Sequence, residues 1–184
     1  MNGKLIALLF VAFLLSGAIL YNQNQVPQSI APETEATDAN KKFAPFPDIT
    51  FKTVDGQPVR IQDLKEKTVL VHFWAAWCGP CHAEFPDLLR YVERAKGNIA
   101  LLSISLDGNY DDSQHVLNEV ERKHNVSVHG PHLYWVSDRD RSLSLQNFNT
   151  VKVPETIVVN QGLMIDKIVG GGPWAEAAKP EAQY

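Results

Sequence analysis

The distribution of apolar residues divides the chain near residue 43. Leu5 to Tyr21 is a nearly unbroken apolar run behind Lys4. About Asn22 to Lys42 is polar, with Pro27 and Pro32 and no large apolar residue after Val26 except Ile30. From Phe46 onwards the patterns are those of a folded domain. Thr68-Val69-Leu70-Val71-His72-Phe73-Trp74 is β-branched and aromatic, the composition of a buried strand. Phe85, Leu88, Leu89 and Val92 then recur at helical spacing, and Ile99 to Leu106 reads as a second buried strand. After a polar loop over Asp107 to Asp112, the positions of Val116, Leu117 and Val120 predict a helix ending near His124. Strand, helix, strand, helix implies parallel crossovers.

The remaining stretches are shorter. His129-Gly130-Pro131-His132 is a turn with both histidines in solvent, and Leu133 to Val136 is a brief strand. Leu143, Leu145 and Phe148 predict a short helix ahead of Val151 to Asn160, where Pro154 opens a buried strand. Gln161-Gly162 turns that strand into Leu163 to Val169, a terminal antiparallel hairpin. Upstream of the core, Phe46 to Phe51, the Asp55-Gly56 turn and Pro58 to Ile61 predict an added β-hairpin. The last segment, Ala175 to Tyr184, is interrupted by Pro180 and predicts only a short or frayed helix.

The apolar run of 17 residues behind Lys4 has the length of a short membrane span or of a secretory signal. Ser16-Gly17-Ala18 offers a cleavage site, but Ile19-Leu20-Tyr21 continues the run, which favours an uncleaved single-pass anchor over a cleaved signal. Lys4 favours a cytoplasmic N-terminus and an exported remainder, in the bacterial case a domain outside the inner membrane, in the periplasm. The organisation expected is therefore an anchor or signal at 1–21, a flexible tether at 22–42 and one domain at 43–184.

Charge and composition narrow the chemistry. A net charge of −4, a pI near 5.8 and the lack of a basic cluster argue against nucleic acid as a partner. Cys78 and Cys81 are the only cysteines, within Trp77-Cys78-Gly79-Pro80-Cys81, so no other thiol can form a structural bridge. The strand-to-helix pattern puts them at a helix start, where unpaired amides and the macrodipole stabilise a thiolate. Cys78, the first and more exposed, is the candidate nucleophile, and Cys81, one turn on, is the candidate resolving thiol. Gly79-Pro80 removes an amide donor and restricts the turn, which helps to set the balance between dithiol and disulfide. Two thiolates with His82, or with His129 and His132, would also suit a soft metal such as copper or zinc, but no second Cys-x-x-Cys completes a closed site. No metal and no cofactor is expected.

The strand, the Trp-Cys-Gly-Pro-Cys motif and the helix after it resemble the thioredoxin superfamily. Cys81-His82-Ala83-Glu84-Phe85-Pro86, with Phe46-Pro47-Asp48-Ile49-Thr50-Phe51 and Asp55-Gly56-Gln57-Pro58-Val59, resembles its TlpA/ResA-like branch of membrane-anchored thiol-disulfide oxidoreductases. The resemblance covers about residues 43 to 172. It implies an α/β thioredoxin-like fold, with a central mixed β-sheet flanked by helices and an N-terminal β-hairpin extension. It also implies a redox-active Cys78–Cys81 disulfide and a cis Pro154 facing it. Substrate contacts would come from Trp77, Gly79, Pro80, Val153 and Pro154, with Val153 offering backbone groups to an extended segment. Glu84 matches a glutamate of this branch implicated in proton handling, and either accepts the proton of Cys81 or is a solvated helix residue. His72 departs from the pattern, standing where thioredoxins have a buried aspartate and this branch often has asparagine. It is either a base beneath the pair, which if charged would favour a thiolate, or a satisfied core residue.

The function implied is reduction of disulfides in exported proteins, including apocytochrome c during cytochrome c maturation, by a monomer. Its electrons would come from a membrane protein donor. The alternatives are a disulfide oxidase or isomerase, a copper-binding chaperone and a thiol peroxidase.

Overall fold

The structure is a computed structural model that describes residues 44–64 and 68–177. The expected anchor and tether, 1–42, lie outside the described residues, as does the end of the chain. Among the described residues no helix is long and apolar enough to cross a membrane.

Strand β4 (Thr68–Trp74) is the centre of the fold, and from Val69 to Trp74 every one of its residues is buried. A strand covered on both faces is what a continuous apolar run predicts. It pairs in parallel with β5 (Ile99–Ser105), which pairs in parallel with β6 (Leu133–Ser137). Helix α1 (Gly79–Arg94) makes the first crossover and α2 (Tyr110–His124) the second. On its other side β4 runs antiparallel to β7 (Glu155–Asn160), and β7 to β8 (Leu163–Val169). With β1 (Ala44–Pro45) at the margin, the six-stranded order is β1-β8-β7-β4-β5-β6, a mixed sheet. A separate hairpin joins β2 (Thr50–Lys52) to β3 (Pro58–Arg60). It is tied to the far margin by a bridge from Thr53 to Val136 and by the Val54 N–H donating to the Trp135 carbonyl.

The element order expected from the sequence holds, with several adjustments. The added hairpin is shorter than Phe46 to Ile61, because Phe46 turns inward to pack on Phe148 at 5.3 Å and the strand begins only at Thr50. Ala44–Pro45, which carries no strand pattern of its own, pairs with Leu163 and Met164. Helix α2 starts inside the stretch expected to be loop, because Asn109 caps it by accepting the Asp111 N–H, and Asp111 and Asp112 complement the first turn. A five-residue π-helical turn at Leu143–Asn147 occupies the place of the expected short helix, and helix α3 (Trp174–Ala177) opens the expected terminal helix, the rest of which lies outside the described residues. His132 is half-buried rather than in solvent, its ring standing against Gly97, while His129 is exposed.

The core seats the active-site elements. Phe85, Leu88, Leu89 and Val92 of α1 are buried against the sheet, and Phe85 meets Trp74 edge-on with ring centroids 4.6 Å apart. Aromatic pairs in this geometry add about 0.5–1.5 kcal/mol beyond the area they bury. The end of β4 and the start of α1 are thereby locked together.

Candidate active site

Between β4 and α1 the chain makes the turn Ala75-Ala76-Trp77-Cys78, and an acidic residue from outside the motif holds it. The Ala76 N–H donates to both carboxylate oxygens of Asp107, at 3.0 and 2.8 Å. Asp107 also accepts hydrogen bonds from Ser105 Oγ at 2.9 Å and Ser113 Oγ at 2.6 Å, and all three side chains are buried. A buried carboxylate without such donors would cost several kcal/mol. With them it becomes a rigid anchor for the motif. The polarity of Asp107 had pointed only to a loop.

Cys78 is the N-cap of α1, and its sulfur accepts the Cys81 N–H at 3.3 Å. Pro80 sits in the first turn, where its missing N–H leaves no unmet donor. Cys78 and Cys81 form a disulfide, with Cα atoms 5.3 Å apart. Cys78 retains 4% exposure and Cys81 none, so the first cysteine is the accessible one.

Beside the pair, Trp77 is 63% exposed, with the Arg141 guanidinium 5.8 Å above its ring. Trp77 and Val153 line the same groove, and the Val153–Pro154 peptide bond is cis. Pro154 is buried, and its carbonyl accepts the Gly170 N–H. The backbone N–H and carbonyl of Val153 have no hydrogen-bond partner among the described residues. The segment before them is braced by buried Glu155, which accepts from Thr150 Oγ1 and from Lys167 Nζ at 3.1 Å. Gly79 and Pro80 are exposed at the helix start.

Glu84 is not a solvated helix residue. Its side chain is 8% exposed, and Oε2 accepts the Gly172 N–H at 2.9 Å and Trp174 Nε1–H at 3.0 Å. Burial raises its carboxyl above the ordinary value, and these two hydrogen bonds oppose the rise. Only glycine fits at 172, since a Cβ there would come within 2.2 Å of the Trp174 ring. That ring in turn lies on Tyr91, 5.7 Å between centroids. The C-terminal stretch therefore closes over Glu84, which the fading helical pattern of the sequence did not indicate.

His72 is fully buried in β4. Nδ1 is 3.0 Å from Thr156 Oγ1, and Nε2 is 3.6 Å from Glu84 Oε1. Desolvation lowers its pKa to about 3, so the ring is neutral at physiological pH. Burial thus disfavours a charged His72, and the imidazole is satisfied at one nitrogen only. Among the described residues no three His, Cys, Asp or Glu side chains gather as a metal site.

Residues 44–168 match the AhpC/TSA family. The chain is 33% identical over 129 residues to the thiol:disulfide interchange protein DsbE of Pseudomonas aeruginosa, covering 68% of this chain and 65% of that protein. It is 29% identical to the thiol-disulfide oxidoreductase ResA of Oceanobacillus iheyensis, covering 64% of this chain and 57% of that one. Among solved structures, the thioredoxin domain of a thiol-disulfide oxidoreductase from Bacteroides vulgatus superposes with a TM-score of 0.58 at 26% identity, over 72% of this chain and 91% of that one. StoA of Bacillus subtilis superposes with a TM-score of 0.54 at 19% identity, over 72% and 95%, and shares the fold.

Proposed function

The chain belongs to the AhpC/TSA family of thioredoxin-like proteins, and we propose that it is a thiol-disulfide oxidoreductase that reduces disulfides of exported proteins. The observation that carries this reading is the Cys78–Cys81 disulfide at the start of α1, with the more accessible sulfur at the N-cap. In the reduced protein the Cys78 thiolate attacks one sulfur of a substrate disulfide. A mixed disulfide forms and the first substrate thiolate leaves. Cys81 then gives up its proton and attacks Cys78 Sγ, the second substrate thiolate leaves, and Cys78–Cys81 is left oxidised. Two electrons pass from the pair to the substrate, and the two thiol protons follow them. A dithiol donor must return two electrons for the next cycle, and a membrane protein in contact with the reduced cytoplasm is the class of donor proposed.

Glu84 is the residue proposed to take the Cys81 proton. It lies one helical turn beyond Cys81, and a carboxyl raised by burial is matched to a thiol better than an ordinary one. Val153, with its free backbone groups, is proposed to receive an extended substrate segment by strand addition beside Trp77, Gly79 and Pro80. Apocytochrome c cysteines are proposed as a substrate of this kind, and thiol-disulfide exchange is the chemistry for which the DsbE and ResA relatives are named. The apolar segment 5–21 and the tether behind it are proposed to hold the domain at the outer face of the cytoplasmic membrane.

Two measurements test this. A Cys81→Ser variant should accumulate a mixed disulfide with a disulfide-bonded peptide, and Cys78→Ser should not. If neither variant traps the peptide, the reading fails. The equilibrium potential of the pair should fall near the roughly −270 mV of thioredoxin, and a value near roughly −120 mV would reverse the direction to an oxidase.

A further inference from the structure

A groove of ≈ 500 Å³ borders the cysteine motif, lined among others by Trp77, Arg141, Leu145, Val151, Lys152 and Val153. Trp77, Leu145 and Val151 leave large apolar surface in solvent, at 63%, 49% and 73% exposure. Around this apolar floor stand two cations. Neither Arg141 nor Lys152 makes an ion pair with any described residue, although the chain as a whole carries a net charge of −4.

Arg141 is also held in a backbone conformation that arginine does not favour. Its φ is 58°, in the left-handed region where glycine would sit without strain. Three hydrogen bonds fix it there. Its N–H donates to the Asp138 carbonyl at 3.0 Å, and its own carbonyl accepts from the Leu145 N–H and from Ser144 Oγ. The loop is clamped further by the buried Asp138 carboxylate, which accepts the Leu143 and Ser144 N–H groups. A strained residue kept in place by its surroundings is a recurring mark of a ligand-contacting position. From this position its guanidinium stands over Trp77, the residue next to Cys78.

We propose that Arg141 and Lys152 select, among cysteine-bearing protein segments, those with Asp or Glu close to the reacting cysteine. This inference rests on the oxidoreductase reading and adds the class of substrate. The segment lies extended along Val153, its apolar side chains meet Trp77, Leu145 and Val151, and its carboxylates meet the two cations. Exposed ion pairs contribute about 0.2–1 kcal/mol each, so two of them give roughly a two- to thirtyfold preference. The preference is electrostatic and must shrink as salt shortens the Debye length from about 10 Å towards about 3 Å.

The test uses the reduced full chain and two peptides of equal length, each closed by one disulfide. One has glutamate and the other lysine beside the cysteines. The ratio of kcat/KM for the acidic over the basic peptide should exceed about three at low salt and approach one at high salt. Lys152→Glu should lower that ratio, and R141E/K152E should invert it. Arg122→Glu on α2, which makes the same change in net charge as Lys152→Glu outside the groove, should leave it unmoved. If R141E/K152E does not fold, the exposed Lys152→Glu still decides the matter. Equal reactivity of the two peptides, or a ratio that Lys152→Glu does not move, overturns the inference and leaves the oxidoreductase reading standing. If neither peptide oxidises the pair, as counted by free thiols, the oxidoreductase reading falls and the inference with it.

Discussion

His72 Nε2 and Glu84 Oε1 face each other at 3.6 Å across the join between β4 and α1, and neither atom makes a hydrogen bond among the described residues. The distance is that of an ion pair, but the buried imidazole is neutral, so the contact joins a carboxyl group to an uncharged ring. Glu84 consequently gains no cationic partner from β4. Its stabilisation comes instead from the Gly172 and Trp174 donors on the other side.

The burial of His72 sets an acid limit on stability. Its pKa is about 3 in the folded protein against 6.5 when unfolded, so below pH 6.5 the unfolded chain binds the extra proton. Stability is therefore complete above pH 6.5 and is lost as pH falls from there towards 3. Lowering pH from 7 to 5 should cost about 2 kcal/mol through this group, at about 1.4 kcal/mol per pH unit. Glu84 acts with the opposite sign, because a raised carboxyl loses stability as pH climbs above 4.5. Urea titrations of wild type and His72→Asn at pH 7 and pH 5 separate the two. The variant should lose about 2 kcal/mol less on acidification, and parallel losses would contradict the prediction.

Glu84→Gln keeps an acceptor for Gly172 and Trp174 but cannot take a proton. Attack by Cys78 on a disulfide should keep its rate, while resolution by Cys81 at neutral pH slows by about a hundredfold, the lower end of what a positioned base contributes. Rapid-quench detection of the mixed disulfide reads the two steps apart. A resolution rate unchanged from wild type would remove Glu84 from the proton path.

Trp174 combines packing with hydrogen bonding, and substitutions divide the two. Trp174→Phe keeps a ring on Tyr91 and withdraws one donor from Glu84 Oε2, for an expected loss of about 1–2 kcal/mol. Trp174→Ala also empties a site that is 4% exposed and should cost about 3–5 kcal/mol. Denaturant midpoints at constant m-value measure both. Equal costs would mean that the ring contributes nothing beyond its donor.

Asp107→Ala strips the acceptor from the Ala76 N–H and from two buried serines, although Ser105 and Ser113, 2.6 Å apart, can still bond each other. A loss of about 2–4 kcal/mol is expected, with Asp107→Asn intermediate because its amide oxygen still serves Ala76. A thermal melt showing Asp107→Asn as damaging as Asp107→Ala would shift the emphasis from the hydrogen bond to the charge.

The sequence was most informative where one physical requirement dominates. A strand buried on both faces must be mostly apolar, so β4 and β5 were readable to within a residue despite His72, Ser103 and Ser105. The cysteine pair was readable because its spacing and the helix after it admit few other chemistries. Side chains whose roles depend on distant partners were not. Asp107 looks like loop polarity until folding brings Ala76 to it, 31 residues away in sequence. Gly172 and Trp174 look like a fading tail until they meet Glu84, some 90 residues earlier. Arg141 ends the charged run Asp138 to Arg141 and Lys152 stands between two valines, and their shared groove exists only after the sheet has formed.

The stretch from Ala44 to Val54 touches both margins of the six-stranded sheet, pairing with Leu163 and Met164 at one and with the β6 backbone at the other. Unpaired strand margins recruit other strands, and a sheet that is open at both ends can propagate in two directions. Cleavage that released this stretch would leave the cysteine pair and its surroundings covalently intact while exposing two templates for chain-to-chain polymerisation. The residues ahead of the active-site strand are therefore expected to limit such pairing, and a fragment prepared for assay should begin before Ala44.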